Sequence, residues 1–258
     1  MTLVIQKYGG TSVGNLARIQ AVAERVYRTR RSGTHVAVVV SAMAGVTDEL
    51  LRLARGITPQ PEGRELDRLL ATGEMVSSAL VAMALQTRGC PAQSFTGQQA
   101  GILTDNAHTA GQIQHIDLTR LRRALDLNVI PVVAGFQGEN TAQDITTLGR
   151  GGSDLTAVAL AASLRADRCE IYTDVDGVYS KDPRTTPDAE CLSCLSYDDM
   201  LEMALLGAKV LQAQSIEFAK KYDVPIVVKS SFSEGPGTLV THASQASVAA
   251  LSWSNSVT

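Results

Sequence analysis

The sequence predicts an α/β protein, a layered α/β/α sandwich with a largely parallel central sheet. Short apolar runs alternate along the chain with stretches of helical periodicity, which is the order of parallel strands connected by helices. The run at 36–40 is continuous and mostly β-branched, as is typical of a strand buried on both faces of its sheet. No Pro/Gly/Ser-rich linker divides the chain, so we expect one domain.

The first half of the chain begins with a strand that ends at Lys7, because the apolar residues 3–5 lead directly to a turn at Gly9 and Gly10. A helix follows, with apolar residues at helical spacing from Leu16 onward, and Gly33 ends it. The next elements are a strand at 36–40 and helices at 49–55 and 66–85. The polar, Gly-rich stretch 97–114 has no clear period and could hold short antiparallel strands over the sheet.

The second half repeats the alternation of strands and helices. Apolar runs predict strands at 129–134, 169–173, 226–228 and 238–241, the last of them an edge strand. Helical spacing predicts helices at 154–164, 197–206 and 211–222. Within the second of these, Met200, Met203 and Leu206 have the spacing of core residues.

The composition excludes several classes of protein. Of the 258 residues, 45% are hydrophobic and 19% are charged, which is too apolar for a disordered chain. The net charge of -3 gives no support for a nucleic-acid partner. The longest nearly apolar run, 36–46, is shorter than the roughly 18 residues that span a bilayer, and residues 2–7 do not resemble a signal peptide. We therefore expect a soluble cytoplasmic protein with no membrane partner.

Residues 7–14 form the first motif that could carry chemistry. Glycines between a strand and a helix let backbone N–H groups approach a phosphate, and Lys7 adds a positive charge there. The motif is neither GxxxxGK[ST] nor GxGxxG. A tight turn beside a surface lysine explains the same residues about as well.

A second Gly-rich segment, residues 148–154, also precedes a helix. Arg150 lies among three glycines, and its guanidinium suits two-point contact with a carboxylate or phosphate. Ser153 or Asp154 could instead merely cap the helix. Two such helix starts, with Lys7 and Arg150, favour an anion-binding site over two unrelated loops.

A third segment, residues 172–184, follows a predicted buried strand, where ligands of α/β proteins commonly bind. Asp174, Asp176 and Asp182 could hold Mg²⁺, although Asp-rich turns are usually only turns. Two shorter segments, 41–48 and 72–74, complete the set of candidate motifs.

These motifs together resemble the aspartate kinases. Residues 7–13 are similar to the KFGGTSV signature of that family, with Tyr8 in place of Phe, and residues 41–48 are similar to its VSAMSGVTD segment. The remaining matches occur in the family's order, at 72–74, 135–138, 147–154, 172–184, 207–211 and 231–238. The resemblance covers roughly residues 1–242, and it implies a catalytic domain there with a short tail at 243–258.

The resemblance implies the amino-acid-kinase fold and transfer of the γ-phosphoryl group of ATP, with Mg²⁺, to the β-carboxylate of L-aspartate. In that family the reaction is the first step toward lysine, threonine and methionine. The ordinary pKa of an aspartate side chain is about 3.9, so this carboxylate is ionised at pH 7 and needs no general base to act as a nucleophile. The four histidines lie in none of the motifs.

The resemblance also implies residue roles. Lys7 would stabilise the transferring phosphoryl group and Asp154 would orient Lys7. The implied phosphate-lining residues are Gly9, Gly10 and Ser12. The implied aspartate-binding residues are Ser41, Thr47, Glu74, Arg150 and Ser153, with Glu74 on the ammonium and Arg150 on a carboxylate. The implied nucleotide-binding residues are Thr173, Asp174, Tyr179, Lys181, Arg184 and Lys209.

Members of the family usually continue into paired ACT domains, whereas this sequence stops at Thr258. A natural stand-alone domain and a fragment are both open. We expect activity that is insensitive to lysine and threonine, and a homodimer formed through the catalytic domain.

Two further functions stay open. One is phosphorylation of a related acid, with Met75 and residues 98–101 retuning the pocket, and the other is a catalytically weak binding or assembly subunit.

Overall fold

The computed structural model describes residues 2–182, 185–186 and 188–243, and it confirms the predicted α/β class. The strands are β1 (Leu3–Tyr8), β2 (His35–Val40), β3 (Ala92–Phe95), β4 (Ile102–Thr104), β5 (Ile113–Ile116), β6 (Ile130–Ala134), β7 (Gln137–Glu139), β8 (Ile145–Thr147), β9 (Arg168–Thr173), β10 (Cys194–Ser196), β11 (Ile226–Ser230) and β12 (Thr238–Thr241). The helices are α1 (Leu16–Arg31), α2 (Val46–Ile57), α3 (Gly63–Leu70), α4 (Thr72–Gln86), α5 (Thr119–Asp126), α6 (Gly152–Leu164), α7 (Tyr197–Leu205) and α8 (Ala213–Tyr222).

The main sheet has eight strands in the order β10-β12-β11-β9-β1-β2-β6-β3. Every neighbouring pair is parallel except β11 with β12. Strands β2 and β6 are buried along their whole length, as their continuous apolar sequences predict. Because β1, β2 and β9 are parallel neighbours, the loops that follow them leave from the same edge of the sheet.

Helices cover both faces of this sheet, and the alternation of side chains along each strand divides the interior into two cores. Ile5, Val39 and Val133 face a core shared with α5, α6, α7 and α8. Val38 and Val132 face the opposite core, which α1 and α4 complete. The result is the α/β/α sandwich expected from the sequence.

A second, four-stranded sheet has the order β5-β4-β7-β8. Strands β4 and β5 pair antiparallel within the polar stretch 97–114, as expected there. Strands β7 and β8 pair antiparallel as well, and β8 leads directly into residues 148–151 before α6 begins. This small sheet therefore positions the second Gly-rich segment.

The structure differs from the sequence prediction at several elements. The helix predicted at 66–85 is two helices, α3 and α4, on either side of Ala71. Leu206, predicted to be a core residue, is 81% exposed just after α7, whereas Met200 is fully buried. The predicted tail, 243–258, lies outside the described residues apart from Ala243.

The stretch Gly63–Gln86 is long and apolar enough to cross a membrane by length and hydropathy alone. More than half of it is buried inside the protein, where α4 packs against α1 and β3. This burial is that of a core helix of the sandwich.

Candidate active site

The motifs singled out in the sequence meet at one edge of the main sheet. Tyr8, the last residue of β1, is in register with Val40 of β2 and with Tyr172 of β9. The loops beginning at Gly9, Ser41 and Asp174 are therefore neighbours. The carboxyl ends of parallel strands are the usual position of ligand sites in open α/β sheets.

A buried ion pair lies at this edge. Nζ of Lys7 is 2.5 Å from Oδ1 of Asp154, and about a tenth of each side chain is exposed. Lys7 comes from β1 and Asp154 from the first turn of α6, where the helix dipole favours a negative charge. The pairing that the resemblance implied between these residues is present in the structure.

The start of α6 shows why Asp154 is available to Lys7. Gly151 occupies the N-cap with φ 77°, and no side chain caps the helix. The alternative that Ser153 or Asp154 serves as the cap is therefore wrong. A Cβ on Gly151 would lie 2.2 Å from Cγ of Gln212, so both the positive φ and the close approach of Gln212 require glycine.

Glu74, in the first turn of α4, is the second buried charged group. Its Oε1 accepts a hydrogen bond from the Ala42 N–H at 2.9 Å, while Oε2 has no hydrogen-bond partner among the described residues. Burial raises the pKa of Glu74 to about 7, against the opposing effects of the Ala42 N–H and of Lys7. A buried carboxylate with one unpartnered oxygen suits a ligand group that donates hydrogen bonds, such as an ammonium.

The loop after β2 reaches Glu74 because of a glycine. A Cβ on Gly73 would lie 2.8 Å from Cβ of Ala42, so this glycine lets the loop pack directly on α4. Ser41 and Thr47 are half-buried on the same loop and at the start of α2. Their chain neighbours Ala42 and Val46 lie against Gly73 and Glu74, so the backbone on which both residues lie passes beside Glu74.

Ser153 lies in the first turn of α6, and Arg150 lies in the loop directly before that helix. Ser153 is 7% exposed. Arg150 is exposed, and it forms no hydrogen bond or ion pair within the described part of the chain. Its guanidinium is consequently available to an anionic ligand.

The loop after β1 is held by backbone contacts with the neighbouring strand. The Gly9 N–H donates to the Tyr172 carbonyl at 3.2 Å. Ser12 is 1% exposed, and its hydroxyl contacts the Tyr172 carbonyl and the Ser231 hydroxyl. The side chain of Ser12 therefore fixes the loop from inside, whereas Gly9 and Gly10 are half-buried at its surface.

A cavity of about 640 Å³ lies beside this edge, between residues 173–182 and 203–210. This volume is within the range of small-molecule sites. Five of the expected nucleotide-binding residues line it: Thr173, Asp174, Tyr179, Lys181 and Lys209. The sixth, Arg184, lies outside the described residues.

Sequence reasoning missed two residues of the cavity wall, Met203 and Leu206, because helical spacing assigned them to the core. The available signal was Gly207, which ends the helix so that Leu206 lies beyond the last core-facing turn.

A buried polar network beneath the loops was missed as well. Glu170 accepts hydrogen bonds from Gln6 at 2.9 Å and from the Tyr172 hydroxyl at 3.0 Å, and Tyr8 stacks on Tyr172 with ring centroids 4.7 Å apart. The polar residues Gln6 and Glu170 inside apolar strands were the signal for it.

One known protein family matches the chain over most of its length. The model of the amino acid kinase family matches residues 2–230. The chain belongs to the amino acid kinase family. Its N-terminal motifs and its sandwich are those of an amino acid kinase, as the sequence predicted.

Curated proteins similar to this amino acid kinase include aspartokinases. It is 57% identical over 241 residues to the aspartokinase of Pseudomonas aeruginosa, covering 93% of this chain and 58% of that protein. It is 54% identical to the aspartokinase of Corynebacterium glutamicum, covering 93% and 57%. The chain therefore spans a little over half the length of these curated relatives.

Solved structures of aspartate kinases are also similar to this chain. The aspartate kinase from Synechocystis superposes with a TM-score of 0.84 at 49% identity, covering 93% of this chain and 40% of that one. Aspartokinase III of Escherichia coli, solved with aspartate and ADP, gives 0.82 at 29% identity, covering 93% and 64%. A UMP kinase from Bacillus anthracis gives 0.70 at 19% identity, which shows the shared fold alone.

Proposed function

We propose that this chain transfers the γ-phosphoryl group of ATP to the β-carboxylate of L-aspartate, giving 4-phospho-L-aspartate and ADP. The observation that carries the proposal is the buried, unpartnered Oε2 of Glu74 close to the Lys7–Asp154 pair. A lone buried acceptor suits an ammonium, and a held lysine suits the charge on a phosphoryl group. The likeness to aspartokinases supports the same substrates.

The proposed binding of L-aspartate uses the two sides of the cleft. Glu74 accepts hydrogen bonds from the α-ammonium through Oε2, and Arg150 pairs with a carboxylate through its guanidinium fork. Ser41, Thr47 and Ser153 supply hydroxyls between these two ends. Fixing both ends holds the β-carboxylate in line with the phosphoryl group.

The proposed nucleotide site is the cavity of about 640 Å³, with the adenine between residues 173–181 and Lys209. Lys181 and Lys209 offer cations to the phosphates, and Gly9 and Gly10 let backbone N–H groups approach them. The described residues contain no group of three or more side chains that could hold a metal by themselves. Mg²⁺ usually needs only one or two carboxylates besides phosphate oxygens, so Asp174 and Asp182 on the cavity wall fit it.

In the proposed chemical step, a bond forms between a β-carboxylate oxygen and the γ-phosphorus while the bond from that phosphorus to the bridging oxygen of ADP breaks. No proton moves, because the carboxylate is already ionised. Lys7, oriented by its ion pair with Asp154, compensates the negative charge on the phosphoryl oxygens. Mg²⁺ supplies further charge neutralisation on the phosphates when bound.

A coupled assay of ADP release with a panel of acids, combined with hydroxylamine trapping of the acyl phosphate, tests the proposal. We expect turnover with L-aspartate and formation of aspartyl hydroxamate. Turnover with a different acid would assign the chain to a related substrate. Absence of turnover with every acid, in a folded chain that binds ATP, would favour the assembly subunit.

The cytoplasmic location, the place in lysine, threonine and methionine synthesis and the homodimer stay predictions. Exposed apolar side chains on α2 and α4, including Ile57 at 90% and Met83 at 58%, are a kind of surface that association between two copies would cover.

A further inference from the structure

We propose that Asp67, a residue outside the substrate site, is a positioning residue that fixes the distance between Glu74 and Arg150 and thereby sets the affinity for the amino-acid substrate. The inference rests on the proposed function, because it assigns those two residues to the two ends of one substrate. The structural basis is a cluster of four residues, Asp67, His108, Thr109 and Thr147, called the Asp67 cluster below.

Asp67 lies on α3 and is completely buried. Its Oδ1 accepts a hydrogen bond from the Thr147 hydroxyl at 2.5 Å and from the Thr109 N–H at 3.1 Å. Its Oδ2 contacts the same N–H at 2.9 Å and Nδ1 of His108 at 2.8 Å. A buried carboxylate with both oxygens engaged holds its donors in one arrangement, because any displacement would leave buried charge without a partner.

On one side the Asp67 cluster is joined through Ala71 to α4, the helix that carries Glu74. The backbone stays helical through Ala71, whose N–H donates to the Asp67 carbonyl at 2.9 Å and whose carbonyl accepts from Met75. Asp67 and Glu74 are seven residues apart, which is about 10 Å along a helical backbone, and they lie on the two sides of the junction between α3 and α4. A fixed position of Asp67 therefore fixes the position of Glu74.

On the other side the Asp67 cluster holds the strand that leads to Arg150. Thr147 is the last residue of β8, three residues before Arg150. The Thr147 carbonyl accepts from the Gly111 N–H at 2.8 Å, and a Cβ on Gly149 would lie 3.4 Å from the Thr109 carbonyl. The loop that contains Arg150 thus packs on residues 109–111, the segment whose Thr109 N–H is hydrogen-bonded to Asp67.

This arrangement explains why a charged residue lies in a position that an apolar side chain could fill. An apolar residue would pack the same space, but it would not define the distance between α3 and β8. A substrate held at both ends is sensitive to that distance, since small displacements of binding groups strongly weaken positioning. Loss of the hydrogen bond between Thr147 and Asp67 should consequently weaken the binding of the amino-acid substrate and leave the binding of ATP unchanged.

The test compares neighbouring threonines of β8. Thr147→Val keeps the shape of the side chain and removes its donor to Asp67, whereas Thr147→Ser retains a hydroxyl. Thr146→Val is the matched control, because the Thr146 hydroxyl is also buried and is 2.5 Å from the Thr104 hydroxyl instead of Asp67. We expect Thr147→Val to raise the KM for aspartate about tenfold with the KM for ATP changed less than about twofold. Thr147→Ser should restore the wild-type KM, and Thr146→Val should leave it unchanged.

Equal increases in both KM values, or the same increase for Thr146→Val, would overturn the proposal. His108→Ala gives a second variant if Thr147→Val does not fold, since His108 lies at the edge of the Asp67 cluster with 23% of its side chain exposed. Its KM for aspartate should rise in the same selective way. An unchanged KM in that variant would also count against the proposal.

Hydrogen–deuterium exchange gives a readout that does not depend on activity. Peptides covering 105–111 and 148–152 should exchange faster in Thr147→Val than in Thr146→Val, and unchanged exchange in both would refute the role of Asp67. If the wild-type chain phosphorylates no amino acid, the proposed function fails, and the exchange data alone then decide whether the Asp67 cluster positions the Arg150 loop.

Discussion

Replacing Glu74 by glutamine should abolish tight aspartate binding and, at the same time, make the ligand-free protein more stable above neutral pH. Both effects follow from one feature of the structure. Glu74 is 4% exposed and, among the described residues, only one of its two oxygens has a hydrogen-bond partner, so burial raises its pKa from 4.5 to about 7. The ionised form that the substrate ammonium needs is the form that burial disfavours.

The effect on binding can be calculated from this pKa. With a pKa of about 7, the ionised fraction of Glu74 changes about tenfold between pH 8 and pH 6. Because the β-carboxylate of aspartate stays ionised throughout, the KM for aspartate should rise about tenfold on acidification over this range. In Glu74→Gln the KM for aspartate should be high and nearly independent of pH, because the titrating group is gone.

The effect on stability has the opposite sign. The pKa of Glu74 is raised in the folded state, so its contribution to stability is fully present below its unfolded value of 4.5 and is lost as the pH rises through about 7. Ionising this buried carboxylate costs of the order of 3 kcal/mol at pH 8 in the absence of substrate, which glutamine would not incur. Glu74→Gln should therefore unfold at higher denaturant concentration than wild type at pH 8, and at about the same concentration at pH 4.5.

Chemical denaturation at the two pH values and aspartate kinetics from pH 6 to 8 are the measurements. Glu170→Gln is the matched control, because Glu170 is also buried. Burial raises the pKa of Glu170, but Lys229, Arg168 and Gln6 outweigh burial and hold that pKa below its usual value. Glu170→Gln should lose stability at pH 8. A loss of stability at pH 8 in Glu74→Gln, or a KM for aspartate that is constant from pH 6 to 8 in wild type, would refute the reasoning.

Three further substitutions and one sizing measurement test the rest of the site. Lys7→Ala should lower kcat by about 10³-fold or more while the circular dichroism spectrum stays native, since the lysine acts on charge in the transition state; a near-normal kcat would contradict its role. Arg150→Lys should raise the KM for aspartate about tenfold and that for ATP little, because lysine keeps the charge but loses the fork; equal effects would move Arg150 to the nucleotide. Lys209→Ala should raise the KM for ATP selectively, and a selective effect on aspartate would refute its placement. Light scattering should show a dimer at micromolar concentration, and a monomer would contradict the predicted homodimer.

The central strands could be predicted from sequence because apolar runs identify strands buried on both faces. The prediction failed where local pattern carries little information. Helix α5 has arginines around its two buried residues, Leu121 and Ala124, so its periodicity is hard to see. Strand β3 has only four residues with polar ones between Ala92 and Phe95. The division between α3 and α4 at Ala71 depends on packing, because alanine itself favours a continuous helix.

The sequence predicted the individual segments of the site, but it did not predict which residues of those segments contact each other. Gly-rich segments at strand ends indicated anion binding, but Lys7 and Asp154 are far apart in the sequence, and only the family resemblance suggested that they meet. Spacing also could not show that the Ser12 hydroxyl is directed inward or that Leu206 borders the cavity. Both outcomes depend on how distant loops approach each other, which no local pattern encodes.

Buried carboxylates in this protein differ in how completely they are partnered, and the difference separates fold from function. Asp67 and Glu170 each have both oxygens engaged by donors or cations, so they stabilise one arrangement of the chain. Glu74 has one free oxygen, and Oδ1 of Asp154 has only the Lys7 ammonium as its partner among the described residues. Folding alone gives no reason to bury a carboxylate oxygen without a donor, because the desolvation is not compensated. A ligand that brings an ammonium to Glu74 supplies the missing donor, so the oxygen that the protein leaves without a partner is the feature that makes binding selective.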